Sequence, residues 1–348
     1  MTLRRRDVLA LGAAGAIDLA LGAGCSRSTK DDGEGVTRGT GPKGYGLTIG
    51  LNAVNPSHYS SWPGLLKSAE ADADSMQSLL VTSGFEMLPP LRAKQATRSA
   101  VSTSISRLAS KARATDLVCV YYAGHGGTVY DVSRDEERGR DQTWCLYDAQ
   151  LIDDELHALC AEFPAESRVV FISDSCKSGS ILMQAAMEGA LAQLESTPEN
   201  LIVSTGPTRE AGGLPAKNFP QAVDTSVTFG LHRRSRAMPE GIAMATRAQN
   251  AAFYDSVVSS AAANRGRVKT RIELLAACTE MQEAHEDSKH GYFTGALLKT
   301  CGTACSLSYP ELLAKVSADV SRRSVQQPVR LSIGPAAAWF DRDIALQI

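Results

Sequence analysis

Residues 169–181, VVFISDSCKSGSI, run from a β-branched and aromatic stretch through an acid, Asp174, to a cysteine, Cys176, set among small residues. A cysteine just past the carboxyl end of a buried strand can be exposed for chemistry. The amides of a following helix would favour its thiolate, the reactive form. Such a thiol needs a base, and the histidines are His58, His125, His157, His232, His285 and His290. Only His125 has a matching setting: it follows another β-rich run in LVCVYYAGHGGTVYD, flanked by Gly124, Gly126 and Gly127. Glycines let the backbone approach a substrate closely. As adjacent strands, the two runs would present Cys176 and His125 at one edge of a sheet, as a Cys–His pair for acyl transfer requires. Taken alone, Cys176 reads rather as a small buried hydrophobe and His125 as an unrelated loop residue; their joint placement favours the pair.

The elements that must position this pair follow from hydrophobic periodicity. Short apolar runs at YGLTIGL, DLVCVYYA, RVVFISD, RIELLAAC and PVRLSI predict strands. Between them the spacing predicts helices over about 64–82, 96–113, 153–162, 291–301 and 309–321. This alternation implies an α/β fold with a mainly parallel sheet covered on both faces, and ligand chemistry at the carboxyl ends of its strands. Residues 204–266 break the alternation with many turn formers and read as a long surface loop. There is no internal repeat, and no transmembrane span follows the first 24 residues.

Of the 348 residues, 43% are hydrophobic and 21% charged, and the formal net charge is -2. That balance suits a globular protein and excludes the basic footprint of a nucleic-acid binder. The eight cysteines include no CxxC pair, so a structural zinc site is not expected. Cys301 and Cys305 could form a local disulfide if the protein is exported, although their i, i+4 spacing at a helix end does not favour it. Residues 1–24 have a basic start and an Ala/Gly/Leu-rich run, a leader's layout, and Arg5-Arg6-Asp7-Val8-Leu9 resembles a twin-arginine export signal. Asp18 interrupts the apolar run, and Cys25 sits where a lipidated cysteine would, without the usual leucine before it. The expectation is export to the periplasm or cell envelope if this leader works, and a cytoplasmic protein otherwise. Residues 25–44 read as a flexible linker, 45–335 as the functional domain and 336–348 as a tail.

The strand-AGHGG stretch, followed 51 residues after its histidine by strand-DSCKSG, resembles the caspase-like cysteine peptidases. The DSCKSG form is similar to the metacaspase and orthocaspase branch, bacterial members included. Further stretches appear in family order: LLKSAEADADSMQSLL, DQTWCLYDAQLIDDEL, LLAACTEMQEAHED, HGYFTGALLKT, YPELLAKV and QQPVRL. The resemblance covers residues 45–335 and implies the caspase–hemoglobinase fold.

It also implies roles. Cys176 would attack the scissile carbonyl to give a thioester, His125 would protonate the leaving amine, and the amides of Gly126 and Cys176 would hold the oxyanion. Asp174 and Asp72 would line the primary specificity pocket, with Glu280 where the family often carries an acid. Such a pocket selects a basic side chain, arginine above lysine. For Asp72 the competing reading is the solvated face of an amphipathic helix. Arg233, Arg234 and Arg236, in an exposed run, are candidate self-cleavage positions, and read at least as well as a solvated basic patch. No cofactor is required for the chemistry. Some family members are activated by calcium, and Asp141, Asp153 and Asp154 match part of that ligand pattern, although Met183 stands where a further ligand would lie. The competing reading makes Asp153 and Asp154 a helix cap aided by Glu155. The expected partners are protein or peptide substrates; the sequence does not set the oligomeric state. Two other functions fit these residues: a catalytically silent scaffold that binds a partner protein through the same groove, and a peptidase selective for aspartate.

Overall fold

The apolar runs become strands where the spacing predicts them. The computed structural model describes residues 41–130, 140–176, 201–205, 234–263, 266–279, 282–334 and 337–348. The leader, most of the linker, Met183, Arg233 and Glu280 lie outside the described residues. All elements fall within one unit, Gly41–Ile348.

Four parallel strands form the centre of the sheet: β1 (Gly44–Gly50), β4 (Leu117–Ala123), β8 (Arg168–Asp174) and β11 (Arg271–Ala276). Short strands β2 (Glu86–Met87) and β3 (Leu91–Arg92) pair with β1 on one side. On the other side β13 (Val329–Ile333) runs antiparallel to β11, and β9 (Leu201–Thr205) antiparallel to β13. The centre strands are mostly apolar because both faces are covered. Alternate residues serve two separate cores. Val118, Val120, Val169 and Phe171 pack with Val101, Ile105 and Leu108 of α2 (Arg98–Lys111) and Leu156 of α3 (Asp153–Cys160). Cys119, Tyr121, Val170 and Ile172 face the opposite layer, with Met76 and Leu80 of α1 (Ala69–Thr82).

A second, antiparallel sheet joins β5 (Gly126–Tyr130), β6 (Arg140–Cys145) and β7 (Gln150–Ile152). Against it pack α4 (Glu240–Gln249) and α5 (Ala251–Ala263), which correct the reading of residues 204–266 as a surface loop. Their signal is present but diluted by alanine and serine: Tyr254, Val257, Val258 and Ala261 have helical spacing and are buried with Val129 and Ile152. Helix α1 begins at Ala69 rather than near 64, because the backbone of Leu66, Lys67 and Ser68 is hydrogen-bonded elsewhere, to the carbonyl of Asn52 and the carboxylate of Glu286. The remaining elements are β10 (Arg234–Ser235), β12 (His285–Glu286), α6 (Tyr292–Cys301) and α7 (Tyr309–Val320). Cys301 and Cys305, at the end of α6, are joined in a disulfide. No helix among the described residues is long and apolar enough to cross a membrane.

One ion pair is set inside the main sheet. Glu273 of β11 is fully buried and binds the guanidinium of Arg330 on β13, which also reaches Asp341 at 2.5 Å. Removing one partner of such a pair strands a buried charge. Glu273→Ala is therefore expected to destabilise the protein by about 3–5 kcal/mol, read as a lowered urea midpoint in a Cys176→Ala background.

Candidate active site

Strands β4 and β8 are neighbours in parallel register, with Ala123 opposite Asp174. Their carboxyl ends therefore lie level, and the two predicted residues follow immediately: His125 after one strand, Cys176 after the other. Both are buried. Gly126 makes this closeness possible, since a Cβ there would fall inside the carbonyl of Cys176. The carbonyl of His125 is fixed by the Tyr122 hydroxyl at 2.7 Å and the Cys145 amide at 2.9 Å. Trp62 covers the imidazole, with ring centroids 4.7 Å apart. Gly64, at a φ of +52°, lets the chain turn against both rings. Burial lowers the His125 pKa to about 3, with the Arg236 charge adding to the effect, so the ring is neutral.

A segment of the same chain lies across this pair. Arg234 and Ser235 form β10, antiparallel to β12, and the amide of Arg236 donates to the carbonyl of Ala284 at 2.8 Å. The Arg236 carbonyl accepts from the Gly126 amide at 2.9 Å and the Cys176 amide at 3.3 Å. These are the two donors expected for an oxyanion. The His125 ring lies against the backbone of Arg236 and Ala237. The Cys176 thiol is held by the Ala284 amide, 2.9 Å from Sγ.

The Arg236 side chain is fully buried in an acidic pocket. Its guanidinium pairs with Asp72, with Asp174 at 3.1 Å and with Glu286 at 3.2 Å, and donates to the Ser68 hydroxyl at 3.0 Å. Each acid is anchored by its own donors. Thr294 donates to Asp174 through its amide at 3.0 Å and its hydroxyl at 2.6 Å. The amides of Lys67 and Ser68 and the Ser68 hydroxyl hold Glu286. Asp72 accepts from the Gly291 amide at 2.9 Å and shares a 2.7 Å hydrogen bond with Nδ1 of the half-buried His290. A side chain at Gly291 would collide with Asp174 and Arg236. Burial and then the nearby Asp72 charge raise the Asp174 carboxyl, against the pull of Arg236. The hydrogen bond to Asp72 raises the His290 pKa above its ordinary value.

The structure thus brings together Cys176, His125, Gly126, Asp72, Asp174 and Arg236. Asp72 is fully buried, which corrects the solvated-face reading. Arg236 is buried too, contrary to the expectation of an exposed basic run, because its charge is matched by the pocket acids; Arg234 alone of the described pair is exposed. Glu286, Ser68, His290 and Trp62 also belong to the site; nothing in the sequence singles them out as site residues, although Ser68, Glu286 and His290 lie inside stretches that carry the resemblance. Asp141, Asp153 and Asp154 are buried away from solvent, but among the described residues no group of three or more such side chains is arranged to hold a metal ion. Asp153 instead accepts from the amides of Gln142 at 2.9 Å and Asp154 at 3.0 Å, tying β6 to the start of α3. Glu155 accepts from the Ile152 amide, in keeping with the helix-cap reading.

Known proteins resemble this chain over most of its length. The caspase domain model of the Peptidase_C14 family matches residues 53–334. Metacaspase-1 of Schizosaccharomyces pombe is 27% identical over 247 residues, covering 67% of this chain and 53% of that protein. Metacaspase-1 of Scheffersomyces stipitis is 34% identical over 91 residues, 25% of this chain and 23% of that protein. The chain therefore spans about half the length, or less, of these curated relatives. A crystal structure of a Geobacter sulfurreducens protein superposes with a TM-score of 0.66 at 31% identity, covering 88% of this chain and 99% of that one. With a sheet of this topology, a cysteine and a histidine at its strand ends and a family match across most of its length, the chain belongs to the caspase-domain family of cysteine peptidases, in its metacaspase branch.

Proposed function

We propose that this chain is an endopeptidase that cleaves after arginine through Cys176 and His125, and that its first substrate is its own Arg236–Ala237 bond. The seating of Arg236 carries this reading, with its carbonyl on two amides and its side chain among three buried carboxylates. Strand pairing to β12 is a general way to present an extended peptide, because main-chain bonds supply affinity while one pocket supplies selectivity.

In this reading the neutral His125 takes the thiol proton as Sγ of Cys176 attacks the carbonyl carbon. The amides of Gly126 and Cys176 stabilise the negative charge that develops on the oxygen. His125 then returns the proton to the departing nitrogen, against whose backbone its ring already lies. Water releases the thioester. Both terminal nitrogens of the guanidinium are engaged, one by Asp174 and the other by Asp72, Glu286 and Ser68, which a lysine ammonium cannot reproduce. An aspartate would place a fourth carboxylate among three, so selectivity for aspartate is disfavoured. A silent scaffold has no use for a carbonyl seated on an oxyanion pair.

Fluorogenic peptides ending in arginine, lysine and aspartate test this directly. Arginine turnover should exceed lysine turnover, the aspartate peptide should be untouched, and Cys176→Ala should abolish both activities. Asp174→Asn should lower kcat/KM for the arginine peptide by about 30-fold or more, the cost of removing one partner of a buried charge pair. Persistence of arginine turnover in Cys176→Ala would remove the thiol from the mechanism. Arg236→Ala should leave the chain uncut after residue 236, as read by intact mass.

The His290–Asp72 contact has its own signature. Because the folded pKa of His290 is raised, the contact stabilises the protein fully below the ordinary value of about 6.5 and loses its effect as pH rises through the raised one. NMR titration in the Cys176→Ala chain should place His290 above its ordinary value, and Asp72→Asn should bring it down.

A further inference from the structure

The two sides of the Arg236–Ala237 bond are held by different forces. Upstream lie the ion pairs of Arg236 and the two-residue strand β10. Downstream, the Ala237 backbone bridges to Gly126, and the Met238 amide donates to the Gly126 carbonyl at 2.8 Å. The Met238 side chain is 2% exposed and packs with Val54, Tyr59, Cys145 and Ala243. Pro239 leads straight into α4, and the Asn250 side chain between α4 and α5 binds the carbonyl of His58 at 3.0 Å. Tyr254 of α5 reaches Nε2 of His58 at 2.8 Å and is buried with Val257 and Val258 against Val129 and Ile152. None of these contacts depends on the bond between residues 236 and 237. Cutting that bond leaves Ala237 one residue from a buried anchor, with its nitrogen beside the carbon it has just left.

We propose that the α-amine of Ala237, freed by self-cleavage, remains seated in the site and acts as an acyl acceptor, so that the centre joins arginyl acyl groups to Ala237 in competition with water. The proposal rests on the self-cleavage reading above. In the first turnover a bond forms between Cys176 Sγ and the Arg236 carbonyl carbon, the bond to the Ala237 nitrogen breaks, and that nitrogen gains the thiol proton. Water then replaces sulfur, giving the Arg236 carboxylate and the free thiol. A second substrate acylates Cys176 and its leaving group departs with the thiol proton. The neutral Ala237 amine attacks the thioester, a new amide bond forms, the bond to sulfur breaks, and the amine proton returns to the sulfur. No oxidant or further reagent is consumed. A nucleophile held in place reacts as if at very high concentration, up to about 10⁵ M or more in well-oriented cases. Water at its bulk concentration is the weaker competitor.

The test uses the full chain after it has cut itself, with an N-capped peptidyl-arginine methyl ester, whose small leaving group spares the space of Ala237. The expected result is a fraction of the fragment beginning at Ala237 that carries the peptidyl mass, with tandem mass spectrometry placing it on the α-nitrogen. That fraction should rise between about pH 6 and 9, as an α-ammonium of ordinary pKa about 7.7–8.0 loses its proton. Consumption of the ester with an unmodified fragment at every pH would overturn the proposal while leaving self-cleavage intact. Absence of the fragment itself would overturn self-cleavage and the proposal together. Met238→Ala loosens the anchor and should lower the ratio of adduct to free peptidyl acid about fivefold or more, with ester still consumed; an unchanged ratio would reject the anchoring argument. Should that variant fail to fold, the wild-type pH series decides alone.

Discussion

Asp72, Asp174 and Glu286 are gathered around a single guanidinium in a space closed to solvent. Buried carboxylates repel one another and lose their hydration, so each needs donors and the group needs a cation. The donors come from the turn before α1, Ser68 included, from the amide of Gly291 and from Thr294 of α6. The cation comes from Arg236. Helix α1, strand β8, strand β12 and the start of α6 each contribute one piece. Their relative placement is thus fixed by the need to surround one charge. The same charge fixes the substrate-like segment, because the length of the arginine side chain sets where its carbonyl falls relative to the amides of Gly126 and Cys176.

Steric constraints then bring the chemistry within reach. Parallel pairing of β4 with β8 delivers His125 and Cys176 to one level, and Gly126 removes the side chain that would keep their loops apart. Trp62 and Gly64 close over the imidazole from outside. The result is a neutral histidine in a dry site, where hydrogen-bond donors aimed at a developing charge act more strongly than in water.

Much of this was legible in the sequence, for reasons that can be named. Strands buried on both faces are continuous apolar runs, so YGLTIGL, LVCVYYA and RVVFIS announce themselves. Cys176 and His125 were legible because each follows such a run, and glycines around the histidine mark a close approach. Asp174 was legible as a charge at the end of a buried strand. Glu286 was not, since it sits in a two-residue strand whose place is set by long-range contacts with Ser68 and Arg236. Helices α4 and α5 escaped notice because alanine and serine blur their apolar stripe. By its type Arg236 reads as exposed, since nothing local to GLHRRSRAM reveals that acids 50 to 164 residues away will bury it.

The molecule holds its own segment with two kinds of interaction, and they differ in how they can be released. Among the described residues upstream of the Arg236–Ala237 bond the hold is polar: the ion pairs of Arg236, the Arg234 guanidinium on the Leu65 carbonyl at 3.0 Å, and the pairing of β10 with β12. Main-chain pairing and a guanidinium are features that any extended arginine-containing peptide carries. Downstream the hold is apolar burial continuous with the packing of α4 and α5 on the second sheet. No incoming peptide can substitute for it without dismantling that layer. The two sides of this bond are therefore held differently, by polar contacts upstream and by apolar packing continuous with the fold downstream.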